Sequence, residues 1–148
     1  MSLLSEVREA LAARVATTAL DGTIEVYAHP NRVQVRPAAV LLLPGDPYVV
    51  PHMDMARNTT EINMVARLLV NSADRESAIK QLDDWLTGDA TKNLILALEA
   101  DYAFTGSLAG TAHVSEVVNY GAGEIDLEGG AVEVFSCDLL VKIYVRSA

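Results

Sequence analysis

The stretch EINMVARLLVNSADRESAIKQLDDWL, residues 61–86, constrains the fold most, because its apolar period changes once within it. Ile62, Met64, Ala66, Leu68 and Val70 come at every second position, with Glu61, Asn63 and Arg67 between them. Only a strand with a buried face satisfies that period. From about Asp74 the apolar residues fall instead at Ala78, Ile79, Leu82, Trp85 and Leu86, which form one stripe of a helix, with Ser72 or Asp74 as its cap. A strand that runs directly into a helix requires a fold with both a sheet and helices packed on it.

The remaining segments extend this pattern. Leu3, Leu4, Val7, Leu11 and Val15 predict an amphipathic helix over residues 3–18, capped by Ser2 or Ser5 and stopped by the Leu-Asp-Gly at 20–22. TIEVYAHP, residues 23–30, alternates as a half-buried strand. A further strand starts after Pro37, and its apolar run from Ala39 to Leu43 fits a central strand covered on both faces. Gly88 ends the Trp85 helix, and Asp89 caps a short second one through residues 90–100. Residues 101–110 read as a loop. TAHVSEVVNY and AVEVFSCDLLVKIYV follow as long strands, and the Gly-rich GAGEIDLEGG between them reads as the tip of a hairpin spanning 111–146. Consecutive strands joined by short turns favour antiparallel pairing. The expected class is therefore α+β: a mostly antiparallel sheet of about five strands, with two or three helices packed on one face. At 148 residues the chain is expected to be a single domain.

Residues 44–60, PGDPYVVPHMDMARNTT, show neither period and read as a long irregular loop. It carries Tyr48, Val49, Val50, Met53 and Met55, apolar groups that a purely solvated loop does not need. The Pro-Gly-Asp-Pro corner is no phosphate loop: it has one glycine, no following Lys-Ser/Thr pair, and two prolines without N–H groups. His29, His52 and His113 show no metal-ligand spacing, and no G-x-S-x-G elbow is present. The adjacent Asp83 and Asp84 diverge on a helix and read as a solvated face. The sequence therefore calls for no catalytic residue, cofactor or metal. The apolar loop and the long C-terminal strands suit a surface completed by neighbouring subunits.

Charge limits the partners. The net charge is −9, divided as −1 over residues 1–73 and −8 over 74–148, which argues against nucleic-acid binding through phosphate contacts. Arg32, Arg36 and Arg57 are candidates for a local basic patch but read as solvated surface. Cys137, the sole cysteine, stands in an apolar strand and reads as a buried inert thiol. The opening residues lack a basic n-region, and no apolar run is long enough to span a membrane. A protein assembled in the cytoplasm is expected.

In arrangement more than in identity, the chain resembles the tail terminator (tail completion) proteins of long-tailed bacteriophages. LLSEVREALAARV looks like that family's opening helix, and PAAVLLLPGDPYV like its following strand with an Asp-Pro-aromatic exit. The strand-to-helix stretch of residues 61–86, with its Leu-Asp-Asp segment, and the C-terminal strand pair complete the match. The resemblance implies one domain over residues 1–148 that forms a hexameric ring at the head-proximal end of the tail. Such a ring stops tail-tube polymerisation, meets the head–tail connector protein, lets DNA pass without specific binding, and has no catalytic residues. The expected contacts with neighbouring subunits or partners are Asp46, Pro47, Tyr48, Val49, Val50, His52, Met53, Met55 and Arg57. Glu124, Asp126 and Glu128 at the hairpin tip would face the lumen or a partner, where acids keep DNA from being retained. The alternatives are another head–tail joining protein, an adaptor or stopper, and a small hydrolase using His52 and Asp54.

Overall fold

A computed structural model describes residues 2–18, 25–28, 38–52, 59–71, 75–88, 93–106, 108–127 and 130–147. The elements run α1 (Leu3–Thr18), β1 (Glu25–Tyr27), β2 (Ala39–His52), β3 (Thr59–Asn71), α2 (Arg75–Thr87), α3 (Leu94–Leu98), β4 (Asp101–Phe104), β5 (Leu108–Leu127) and β6 (Gly130–Ser147). The class is α+β, as expected, but the sheet has six strands, in the order β1-β2-β3-β6-β5-β4. Every pairing is antiparallel except that of β1 with β2, which is parallel. The inference of antiparallel pairing from consecutive strands fails at that one step.

One core joins all three helices to one face of the sheet. Val7, Leu11 and Val15 of α1, Ala78, Leu82 and Trp85 of α2, and Leu94 and Leu98 of α3 are buried against it. The sheet contributes alternate residues: Val40 and Leu42, then Ile62 to Val70 on β3, and Phe135 to Val145 on β6. Burying a Leu, Ile or Val side chain contributes about 1.5–3 kcal/mol, so this two-layer contact is the main source of stability. β2 is covered on both faces near its start, where Leu41 joins Leu69 and Val134 in a second, smaller cluster on the far side.

Local signals explain the helix ends. The Ser2 hydroxyl accepts from the Ser5 backbone N–H, which caps α1. α2 stops at Thr87, immediately before Gly88. Asn93, rather than Asp89, caps α3, its side-chain oxygen accepting from Leu96 N–H. Asp89, Ser72, Asp74 and the Leu-Asp-Gly at 20–22 lie outside the described residues.

Three expectations need correction. Residues 44–52 are not an irregular loop: they continue β2, and Val49 to His52 pair with Ile62 to Thr59. The prolines are tolerated because β1 reaches only Leu41, so beyond it β2 has β3 as its one strand neighbour among the described residues. Pro44 is the last residue before a register shift that ends at Val49, and Pro47 lies inside that shift. An open edge and a bulge are the places where a missing N–H costs no ladder bond. Residues 101–110 are likewise not a loop, because Asp101 to Phe104 pair with Thr111 to Leu108 across a tight turn. Gly106 supplies the positive φ of that turn. Finally, GAGEIDL is strand: Glu124 and Asp126 are not at a hairpin tip but pair with Glu133 and Ala131. Glu128 lies outside the described residues.

Candidate functional site

The residues singled out by sequence are split by the fold. Asp46, Pro47 and Tyr48 lie in a bulge of β2, and Val49 and Val50 resume the pairing with β3 directly after it. Met53, Asp54, Met55 and Arg57 lie outside the described residues, as do His29, Arg32 and Arg36. Of His52 only the backbone is described, opposite Thr59.

The bulge is held from β3. Gly45 lies so close to that strand that an added Cβ would stand 2.8 Å from the carbonyl oxygen of Asn63, a backbone atom with no freedom to withdraw. The Asn63 amide donates to the carbonyl of Pro47 at 2.9 Å and to the Glu61 carboxylate at 3.3 Å. Gly45→Ala is therefore expected to destabilise the chain by about 1–3 kcal/mol through forced displacement. Urea unfolding reads this directly, and a variant as stable as the parent would contradict the packing.

In and beside the bulge the side chains do different things. Tyr48 is half-buried against the core; its hydroxyl accepts from Arg8 Nε at 3.1 Å, and the guanidinium lies 5.7 Å from its ring centre. Part of the apolar character that suggested a docking loop is thus used within the chain. Val49 is 40% exposed, and Asp46 and Pro47 are exposed.

The sheet face opposite the helices is the broader candidate surface. Strand register places Val50, Glu61, Tyr144, Thr111 and Asp101 side by side across it. The next rows hold Asn63, Lys142 and His113, then Leu43, Val65 and Leu140. Leu43, Val65 and Leu140 are only half-buried, and Tyr144 is exposed and stacks on His113. A hydrogen bond to Glu61, with some burial, raises the Tyr144 hydroxyl above its usual range.

At the centre of this face is a group that sequence reading did not single out. Asp138 is the only buried charged residue among the described residues, and it receives Arg67 Nε and Nη2 at 2.9 and 3.2 Å. A third donor is Asn119 Nδ2 at 3.0 Å, from a residue with φ of 57° inside a β5 register shift. Burial pushes the Asp138 carboxyl up, but the hydrogen bonds from Arg67 and Asn119 and the Arg67 charge outweigh it and hold the group below the ordinary range. The triad borders a cleft of about 260 Å³. The available signal was an acid set directly between Cys137 and Leu139, in the most apolar part of β6.

Burial pushes the Cys137 thiol up to about 12, so it stays protonated near neutral pH. Among the described residues no three His, Cys, Asp or Glu side chains group as metal ligands, and no described helix is long and apolar enough to cross a membrane. Asp83 accepts from the Tyr120 hydroxyl at 3.1 Å. No protein-family model matches the chain, and no curated protein matches it.

Proposed function

We propose that the chain is a structural virion subunit, a tail terminator that forms a hexameric ring at the head-proximal end of a phage tail. The ring ends tail-tube polymerisation and presents a surface to the head–tail connector, while DNA passes through without specific binding. The observation that carries this reading is the sheet face that no described helix covers, whose Leu43, Val65, Leu140 and Tyr144 stay partly accessible. Apolar sheet faces are normally buried against another layer, and here a neighbouring subunit or the tube would supply it. Exposed Val49 at one end of the sheet adds apolar surface, and the net charge of −9 suits a passage that does not retain DNA.

Sedimentation of the purified chain, alone and with tail-tube protein, tests the proposal. A hexamer is expected in at least one condition, and Val65→Lys and Val49→Asp are expected to leave a folded monomer that no longer assembles. Tyr48→Asp is a poorer probe, because it also breaks the contact with Arg8. A chain that stays monomeric at high concentration and ignores tail-tube protein would end the proposal.

A further inference from the structure

The two outer boundaries of the sheet are built differently. Beyond Leu41, the open side of β2 carries Pro44, Pro47, Pro51 and a register shift, features that prevent strand addition. At the other boundary β4 reaches only Thr111, so from residue 112 onward β5 has β6 as its one strand neighbour among the described residues. The start of this edge is covered: Ala112 N–H donates to Ala100 and Val114 N–H to the Glu99 carboxylate. Register shifts between Val114 and Glu116 and between Val118 and Gly121 disrupt the next part. Residues 121–127 then run without a shift, from Gly121 opposite Ser136 to Leu127 opposite Gly130. That length exceeds the average strand of about 5–6 residues.

Of the usual protections of an edge this run carries only acidic side chains, Glu124 and Asp126. It contains no proline and no lysine, and a Cβ added at Gly121 or Gly123 would meet nothing within 4 Å. The fold does not demand these glycines for space: Gly121 closes the register shift, and Gly123 leaves room for another backbone to approach closely. Charge selects what approaches. β5 carries Glu116, Glu124 and Asp126 and no lysine or arginine, and Glu124 already faces Glu133 across the ladder. A second copy of β5 would bring the same acids into opposition, which disfavours self-pairing.

We infer that the free edge of β5 at residues 121–127 receives an extended, lysine- or arginine-bearing segment of a partner protein as an added strand. Main-chain hydrogen bonds would seat the segment and the acids would select it. Assembly into a ring and this strand addition are separate properties, and neither requires the other.

Amide hydrogen exchange on the full chain, followed by NMR, tests it with a short peptide alternating lysine and valine. Every second N–H of the run points away from β6. Those amides alone are expected to slow, by about tenfold at a peptide concentration ten times Kd. Glu124→Lys, at an exposed position, is expected to weaken the peptide by about threefold. Four results would overturn the inference. The outward amides could already be protected in the free protein, or become protected as protein concentration alone rises, which would indicate a second copy. A glutamate–valine peptide could protect them equally, or the lysine peptide could bind without slowing them.

Discussion

Leu82→Ala is expected to lower the unfolding free energy by about 2–5 kcal/mol, the largest effect of any single truncation considered. Leu82 is fully buried at the centre of the α2 stripe, between Ala78 and Trp85. Its loss removes apolar transfer energy and leaves a cavity between the helix and a sheet whose strands are fixed by their ladders. Domains of this kind have about 5–15 kcal/mol in total, so the change consumes a large fraction of the margin. Trp85, the single tryptophan, is in the same stripe and reports unfolding by fluorescence. A urea midpoint unchanged from the parent would mean that α2 does not pack as described.

Asp138→Asn is the second large effect, expected at about 2 kcal/mol at neutral pH. Removing one partner of a buried pair costs about 3–5 kcal/mol where the other is left uncompensated. Here the figure is reduced because the Arg67 side chain is 44% exposed and turns to water, whereas the Asp138 side chain is 7% exposed. The pH dependence has a definite sign. The folded Asp138 carboxyl is held below its unfolded value of about 3.9, so its stabilisation is complete above that pH. It fades as pH falls through the lower, folded value. Acid titration of stability should therefore steepen below about pH 4 in the parent and flatten in Asp138→Asn. Parallel curves for the two proteins would remove the ion pair from the account.

Sequence made β3 and α2 legible because one period suffices for each: Ile62 to Val70 alternate, and Ala78 to Leu86 form a stripe. What stayed hidden depends on neighbours distant in sequence. Pro44, Pro47 and Pro51 read as breakers only if β2 has strands along both sides, and no local pattern reveals that its β1 neighbour ends at Leu41. Gly121 and Gly123 read as a turn for the same reason, although β6 holds them in a ladder. The candidate surface was half legible. Val49 and Tyr48 were recognised as unusual, but their division into an exposed group and one held by Arg8 needed α1 in place. Arg67 and Asp138 are 71 positions apart, and nothing near either residue names the other.

The position of β6 has a consequence for how the chain is made. β6 lies between β3 and β5, yet it follows every other described element in sequence. While the ribosome is still adding residues 130–147, the facing edges of β3 and β5 have no partner, and Ile62, Met64 and Leu68 lack half of their surroundings. The middle of the sheet is thus its keystone, set last, and closure must await pairings of long sequence separation, the kind that slows folding. Until then the nascent chain holds an apolar gap open to other chains.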